Sequence, residues 1–178
     1  MLKPKKKVKK LRSQILCDWI VNNYKPCRVA DVGGGKGLLT YLLNLHGFNS
    51  IVIDPIFQTL PIKYKDLYKK RHKIDSSITV PRMSLEFEPE ISQKFDLLVG
   101  LHAHGSNMKI ISSAHQFSID FVILPCCVID EPIVKEHGIN WRESLITYAN
   151  ELNLSPLTIK LNFVGKDIAI YSKNFQTA

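Results

Sequence analysis

The chain has 178 residues and a mass of 20.3 kDa, a length that suits one domain. Apolar residues make up 45% and charged residues 22%, so a sizeable core can form without disulfides or metal. The longest apolar run, Phe121–Ile129, is far too short for a membrane span, which excludes an integral membrane protein. The Lys-rich first residues have no apolar stretch behind them, so we expect no secretory signal. The four cysteines lack paired metal-ligand spacing, which favours reduced thiols in the cytoplasm.

The positive charge is concentrated at the start of the chain. Residues 1–12 hold seven of the 24 basic residues and no acid, whereas the remainder has 17 basic and 16 acidic residues. We therefore expect a basic N-terminal arm (1–12) followed by a nearly neutral domain (13–178). A segment with this charge neutralises phosphates, so residues 3–12 are interpreted as a contact with nucleic acid, either RNA or DNA. The alternative is a solvated tail that aids solubility or forms part of a nuclear address.

Helix-like and strand-like segments alternate along the first half of the chain. Periodicity and turn residues predict, in order, a helix over 11–24, a strand at Arg28–Val32, a helix at Gly37–His46, a strand at Ser50–Asp54, a looser helical stretch over 57–73 and a weak strand at Ser77–Val80. Alternation of apolar strands with helices predicts a parallel sheet covered on both faces.

The second half continues this alternation and then departs from it. The predicted elements are a strand at Phe95–Leu101, a helix at Asn107–Phe117, a strand at Asp120–Leu124, a helix at Trp141–Leu152 with Asn140 as N-cap, and a hairpin of Leu157–Val164 and Asp167–Ser172. The hairpin implies that the last strand is antiparallel. The sequence therefore predicts a single α/β domain with a mostly parallel, seven-stranded sheet.

A glycine-rich turn follows the first strand. It has the sequence V-A-D-V-G-G-G-K-G-L-L over residues 29–39. A P-loop would need Gly at 30 and Ser or Thr at 37, and a dinucleotide fingerprint would need Gly or Ala at 38, so both patterns fail. The glycines fall at 33, 35 and 37, after an acid at 31. Asp31 is suited to a cationic amine rather than to a phosphate.

This turn resembles motif I of the class I S-adenosylmethionine-dependent methyltransferases. Asp54 strengthens the resemblance, because it ends the second strand about 20 residues past the turn, where an acid binds ribose hydroxyls. The terminal hairpin agrees with the antiparallel last strand of that family. The resemblance implies a Rossmann-like fold and S-adenosylmethionine as cofactor. The cofactor residues that it implies are Asp31, Gly33, Gly34, Gly35, Gly37 and Asp54, with Met83 or Leu85 beside the adenine.

Ligands of a doubly wound sheet bind outside the carboxyl ends of the strands. The segments Gly100–Asn107 and Leu124–Asp130 follow the fourth and fifth predicted strands. We expect Leu101 and His102 to contact the cofactor. The catalytic candidates in these two segments are His102, His104, Cys126 and Cys127.

Three other chemistries are open to side chains of these types. Amino-directed base methylation is disfavoured, because the Asp/Asn-Pro-Pro-aromatic motif is absent after the fourth strand. A cytosine-5 mechanism would use Cys126 or Cys127 as a thiolate nucleophile, but its partner Pro-Cys motif is missing. A metal site of His102 and His104 with one cysteine has suitable ligand types but no supporting spacing, so no metal is predicted.

The paired sequences Leu101–Gly105 (L-H-A-H-G) and Leu124–Cys127 (L-P-C-C) are similar to motifs of the eukaryotic tRNA 2′-O-ribose methyltransferases and their methyltransferase-like relatives. The chain departs from that pattern at His104, where the relatives usually carry Cys. The resemblance implies methyl transfer to RNA, either tRNA or rRNA. His102 is then the candidate base or orienting group, and Lys36 or Arg82 supplies local positive charge.

The sequence thus predicts an S-adenosylmethionine-dependent methyltransferase that acts on RNA. One rival is a small-molecule or protein methyltransferase in which the arm is incidental. Another is a non-catalytic binding module with a cofactor fold. Because a second domain would not fit, we expect recognition to involve the arm, the strand-end loops and a partner subunit or homo-oligomer. No membrane partner is expected.

Overall fold

The structure, a computed structural model, describes residues 11–132, 140–163 and 165–175. The helices are α1 (Arg12–Asn23), α2 (Leu38–Leu45), α3 (Asn107–Phe117) and α4 (Trp141–Glu151), with a 3₁₀ helix at Pro89–Lys94. The strands are β1 (Arg28–Val32), β2 (Asn49–Ile53), β3 (Lys63–Lys65), β4 (Arg71–Lys73), β5 (Arg82–Met83), β6 (Leu97–Leu101), β7 (Asp120–Leu124), β8 (Leu157–Lys160) and β9 (Ile168–Tyr171). The basic arm lies outside the described residues except for its last two positions.

Seven strands form one sheet in the order β5-β2-β1-β6-β7-β9-β8. Neighbouring strands from β5 to β7 pair in parallel, and β9 is antiparallel to both β7 and β8. This confirms the predicted α/β domain with an antiparallel last strand. The strand order changes direction between β1 and β6, which opens a crevice at their carboxyl ends.

The central strands are buried because both faces of the sheet are covered by helices. One face packs against α1 and α2 in a core that includes Leu16, Ile20, Leu43, Leu97 and Val122. The other face packs against α3 and α4 in a core that includes Ile110, Ile111, Leu145, Leu98 and Phe121. Alternate residues of each strand supply the two cores, as the pleat requires. None of the helices in the described part of the chain is long and apolar enough to cross a membrane.

Asn140 is the N-cap of α4, as the sequence predicts, and it forms a capping box with Glu143. Its side chain accepts a hydrogen bond from the Arg142 amide at 3.2 Å, and Glu143 Oε2 accepts one from the Asn140 amide at 3.3 Å. This reciprocal pair satisfies amides that the first turn of a helix otherwise leaves unpaired. The cap therefore fixes where α4 begins after the loop that follows β7.

The predicted helical stretch over 57–73 is wrong. Strands β3 and β4 pair antiparallel there and form a two-stranded sheet separate from the main one. Pro61 blocks helix continuation. Tyr64 alternates with flanking lysines, as His72 does with Arg71 and Lys73, so one face of each strand packs inward and the other faces solvent. Alternation with period two outweighs the weak helical pattern.

The predicted strand at Ser77–Val80 is also wrong, because the edge strand is β5, two residues further on. Asp75 holds the earlier segment in a turn: its Oδ1 accepts from the Ser77 amide at 2.8 Å, and its carbonyl accepts from the Ile78 amide at 3.0 Å. Pairing with β2 begins only after this turn, where the Pro81 carbonyl accepts from the Val52 amide at 3.0 Å. Local aspartate bonds of this kind compete with strand formation.

Candidate functional site

The glycine turn lies in the crevice between β1 and α2. Gly33, Gly35 and Gly37 have φ values of +64°, +52° and +76°, a region that side chains with a Cβ rarely adopt. The Gly33 amide donates to the Ile53 carbonyl at 2.8 Å, which ties the turn to the end of β2. The turn therefore needs glycine for its backbone path, and its amides and carbonyls line the crevice.

Close packing also requires these glycines. A Cβ on Gly37 would lie 2.7 Å from Val80 Cγ2, and a Cβ on Gly34 would lie 2.6 Å from the Oδ2 of Asp31. A Cβ on Gly33 would lie 3.2 Å from that of Ala103, in the loop after β6. The turn thus touches both the segment before β5 and the β6 loop, so it joins the two sides of the crevice.

Asp31 lies beneath the turn and is only 1% exposed. Its Oδ2 accepts a hydrogen bond from Thr40 Oγ1 at 2.8 Å, whereas its Oδ1 is buried and has no hydrogen-bond partner. Burial raises the pKa of Asp31 to about 6, against the lowering effects of the Thr40 hydrogen bonds and the charge of Arg82. The buried Oδ1 can therefore still accept a hydrogen bond from a group bound in the crevice.

Asp54 follows β2 and binds the turn directly. Its Oδ2 accepts from the Gly35 amide at 2.9 Å, and its Oδ1 accepts from the Ile56 amide at 2.8 Å. The Asp54 amide in turn donates to the Met83 carbonyl at 3.2 Å. Each carboxylate oxygen can accept a further hydrogen bond, so Asp54 retains capacity for sugar hydroxyls while it positions the turn.

Arg82 has a role that the sequence did not show. Its Nη2 donates to the Gly35 carbonyl at 2.6 Å and to the Gln58 carbonyl at 3.0 Å, and its guanidinium lies 5.4 Å from the centre of the Phe57 ring. Arg82 therefore holds the turn and the segment after β2 together. Only the tertiary pairing of β5 with β2 brings it there, and no local motif marks it. Lys36, the other candidate cation, is exposed on the turn.

Leu101 and His102 end β6 on the other side of the crevice. Both are half-buried, and His102 adopts φ +59°, which is unusual for a residue with a side chain. Its amide donates to the Leu124 carbonyl at 3.2 Å, and its Nδ1 lies 3.4 Å from an Nη1 of Arg12. The last cation of the basic arm therefore lies at the strand-end edge. Met83 is half-buried on β5, the edge strand beside β2, and Leu85 is exposed.

His104, Cys126 and Cys127 converge from two loops. Cys126 Sγ lies 3.2 Å from the Nε2 of His104 and 3.4 Å from Cys127 Sγ, and Cys127 Sγ lies 3.4 Å from the Nδ1 of His104. Burial, together with the Cys127 hydrogen bond, raises the pKa of Cys126 to about 11.

Glu131, in the loop after β7, accepts hydrogen bonds at the N-terminus of α3. The sequence did not reveal this contact. Glu131 Oε1 accepts from the amide and the side-chain nitrogen of Asn107 at 2.8 and 2.7 Å, and Oε2 accepts from the Met108 amide at 3.2 Å. A carboxylate at a helix N-terminus satisfies unpaired amides. The two strand-end loops are therefore fastened to one helix.

Strands β3 and β4 and the turn between them form a strongly basic surface. We call these residues, 63–73, the basic hairpin. It contains six basic residues and one acid. The register pairs Lys63 with Lys73 and Lys65 with Arg71, so four cations share one exposed face. From the sequence, the excess positive charge is assigned to the N-terminal arm alone, so this basic surface is not predicted. Its signal was the local excess of cations, which the near-neutral total of residues 13–178 concealed.

The opposite face of the basic hairpin packs on the domain. Tyr64 stacks on His72 at 5.0 Å between ring centres and meets Tyr41 of α2 edge-on at 6.2 Å. The side-chain amide of Gln14, in α1, donates to the Lys65 carbonyl at 2.6 Å. The hairpin is thus held on α1 and α2 with its cations outward.

Sequence comparisons match part of this chain to known proteins. No family model matches the chain. A probable tRNA (uracil-O(2)-)-methyltransferase of Caenorhabditis elegans is 30% identical over 104 residues, which make up 58% of this chain and 18% of the worm protein. The match therefore spans less than a fifth of the length of that relative.

Solved structures match over nearly the whole chain. A ribosomal protein L11 methylase from Lactobacillus delbrueckii superposes with a TM-score of 0.56 at 15% identity, covering 93% of this chain and 78% of that one. A 1,6-didemethyltoxoflavin-N1-methyltransferase from Burkholderia thailandensis, solved with S-adenosylhomocysteine, gives 0.51 at 11% identity, covering 97% and 80%. Together with the strand order, these likenesses show that the chain has the Rossmann-like fold of the class I S-adenosylmethionine-dependent methyltransferases.

Proposed function

We propose that the chain is an S-adenosylmethionine-dependent methyltransferase that acts on RNA. The observation that carries the proposal is the glycine turn held between two buried carboxylates, Asp31 and Asp54, at the change in strand order. The unpartnered Oδ1 of Asp31 fits the amino group of the cofactor. Asp54 fits the ribose hydroxyls, and the positive-φ glycines allow the backbone to approach the ligand closely.

The cofactor supplies a methyl group that its sulfonium already activates, so the task of the protein is alignment. The loops after β6 and β7 form the acceptor side, where His102 is our candidate to orient or deprotonate the acceptor hydroxyl. Its left-handed backbone and its contact with Arg12 support a constrained position at the edge of the crevice. His104, Cys126 and Cys127 remain candidates for contact with the acceptor.

The basic hairpin supports RNA as the acceptor. Like charges placed directly opposite each other across two strands destabilise the pair. In the basic hairpin both Lys63–Lys73 and Lys65–Arg71 are such pairs, and all four side chains are exposed. A polyanion bound across this face would relieve the repulsion and give salt-dependent affinity.

The position of the cations supports the same conclusion. The basic hairpin follows β2, whose carboxyl end carries Asp54, and Arg12 lies beside His102 on the other side of the crevice. The worm relative is named as a tRNA methyltransferase, which agrees with an RNA acceptor. We infer that the arm, Arg12 and the basic hairpin contact the phosphate backbone while the crevice receives one nucleotide.

Two experiments test the proposal separately. Calorimetry with S-adenosylhomocysteine tests whether the crevice binds the cofactor. Absence of binding would rule out the proposal that the chain is a methyltransferase. Incubation of RNA with labelled S-adenosylmethionine, followed by nucleoside mass spectrometry, tests the acceptor. We expect label on a ribose, whereas label on carbon five of cytosine would instead favour a thiol mechanism.

A charge-matched pair of variants tests the basic hairpin. Lys65→Gln combined with Arg71→Gln removes one opposed pair, so we expect RNA affinity at low salt to fall about tenfold and the slope of log affinity against log salt to decrease by about 1 to 2. The control combines Lys166→Gln with Lys173→Gln, two exposed cations near β9. Equal loss in both double variants would exclude a specific role for the hairpin. The free energy of unfolding of the Lys65→Gln, Arg71→Gln variant should be no lower than that of the parent, because the repulsion between the two cations has been removed.

We also infer that the protein is cytoplasmic and works with a partner subunit or a second copy of itself. No disulfide links any of the four cysteines, all of which lie within the described residues, and this agrees with a reducing compartment. Cell fractionation and the mass of the native assembly in solution test these two inferences.

A further inference from the structure

Three metal-ligating side chains meet at the carboxyl ends of β6 and β7. We propose that His104, Cys126 and Cys127 bind one zinc ion. One ligand comes from the loop after β6 and two come from the loop after β7, so more than twenty positions separate them in the sequence. All three ligand atoms lie within 4.8 Å of one another. This site lies outside the glycine turn and does not depend on the proposed methyl transfer.

The spacing of the ligand atoms suits a tetrahedral ion. In a zinc site with Zn–S near 2.3 Å and Zn–N near 2.0 Å, neighbouring ligand atoms lie about 3.5–3.8 Å apart. The distances are 3.2 Å from Cys126 Sγ to His104 Nε2 and 3.4 Å from Cys126 Sγ to Cys127 Sγ. Cys127 Sγ lies 3.4 Å from the other nitrogen of His104, Nδ1. One imidazole nitrogen would therefore serve as ligand after the ring turns toward both sulfurs and the ligand atoms move outward by a few tenths of an ångström.

The backbone after β7 explains why two adjacent cysteines reach the same point. Successive side chains of a strand point to opposite faces, which would separate the two thiols. Here β7 ends at Leu124 and the buried Pro125 follows, so both cysteines lie beyond the strand and their sulfurs point to the same side. The half-buried cysteines and the exposed His104 leave the site open to an ion from solvent.

The donor set selects the metal and leaves one position free. Two thiolates and an imidazole favour zinc over magnesium or calcium, which prefer oxygen ligands. Two thiolates also balance the charge of a divalent ion. Three protein ligands leave a fourth position for water or an incoming group, as in catalytic rather than structural zinc sites. The ion would also cross-link the two loops that Glu131 already joins through α3.

Metal binding by the purified full-length chain tests the site. We expect one equivalent of zinc by elemental mass spectrometry. Titration with Co²⁺ should produce the near-ultraviolet thiolate-to-cobalt absorption and the visible bands of a tetrahedral site. Cys126→Ser and Cys127→Ser should each abolish the thiolate band or weaken Co²⁺ binding at least tenfold, and His104→Ala should weaken it similarly.

Cys27→Ser is the matched control, because Cys27 is also half-buried but precedes β1 at the other end of the sheet. This variant should keep the full metal content. Circular dichroism and urea unfolding verify that each variant is folded. Absence of the thiolate band in the reduced protein would overturn the proposal, as would a band that survives both cysteine substitutions. A chain that remains metal-free and forms a Cys126–Cys127 disulfide, lighter by two hydrogens, would overturn it as well.

Discussion

The two sides of the crevice are built in different ways. The side formed by β1 and β2 relies on backbone geometry: three glycines with positive φ, an amide bonded to Asp54 and a carbonyl bonded to Arg82. The side formed by β6 and β7 relies on reactive side chains, namely His102, His104 and the cysteine pair. Both sides lie at carboxyl ends of parallel strands, yet they place different demands on the sequence.

The difference indicates a division of labour. Backbone amides and buried carboxylates tolerate little change, which suits a site that holds one fixed cofactor. Imidazole and thiol groups on half-exposed loops can be exchanged without altering the sheet, which suits a side that meets a variable acceptor. The following predictions test this division, from the largest expected effect to the smallest.

Gly37→Ala should destabilise the fold most. A positive φ costs a residue with a side chain about 1–2 kcal/mol, and the contact of the new Cβ with Val80 adds overpacking of about 1–3 kcal/mol. Urea unfolding measures the sum. Gly47→Ala is the control, because Gly47 has φ +82° and nothing lies within 4 Å of an added Cβ. Equal losses in the two variants would show that packing around the turn is unimportant.

Asp31→Asn should remove a pH dependence of stability. The folded pKa of about 6 lies above the ordinary value of 3.8, because burial disfavours the charged carboxylate. Protonated Asp31 therefore contributes stability that is complete below pH 3.8 and is lost as the pH rises through 6. Relative to the variant, the parent should lose on the order of 3 kcal/mol between pH 4 and pH 7.

Urea unfolding at several pH values measures this difference. Asp75→Asn is the control, since hydrogen bonds from Ser77 lower the pKa of that exposed carboxyl and its effect has the opposite sign. Parallel stability curves for the parent and Asp31→Asn would contradict the buried charge. Since a cationic amine beside Asp31 favours its ionised form, cofactor affinity should also rise as the pH passes 6.

Asp54→Asn should weaken S-adenosylhomocysteine binding about tenfold or more. The variant loses one acceptor that fixes the turn and the charge that strengthens hydrogen bonds to sugar hydroxyls, an effect of roughly 1.5–3 kcal/mol. Calorimetry measures it. Asp75→Asn again serves as control, because Asp75 also accepts the amide two residues on, but follows the basic hairpin rather than β2. Unchanged affinity would separate Asp54 from the cofactor.

Cys126→Ser should have the smallest effect on cofactor affinity, within about twofold, because the thiol contacts the other side of the crevice. Equilibrium binding of S-adenosylhomocysteine measures this. Loss of cofactor binding by a variant that remains folded would show that the two sides are not independent. Turnover and metal content of the same variant report separately on the acceptor side.

Local patterns explain why the side of the crevice with the glycine turn was predictable. The glycine spacing over 33–37, the acid at the end of β2 and the capping box of α4 are encoded within a few positions of each other. The mostly parallel sheet with an antiparallel last strand followed from strand–helix alternation and the terminal hairpin. The errors at 57–73 and 77–80 arose where short polar strands gave weak periodicity and Asp75 formed a local turn.

The sequence by itself determined the α/β alternation, the position of the glycine turn and the excess of basic residues, because each depends on neighbouring residues. Tertiary structure alone decided that Arg82 holds the turn, that Glu131 begins α3 and that His104 meets both cysteines. It also placed the cations of the basic hairpin on one exposed face. These contacts join segments that are distant in the chain, and only the packing of the sheet brings them within bonding distance.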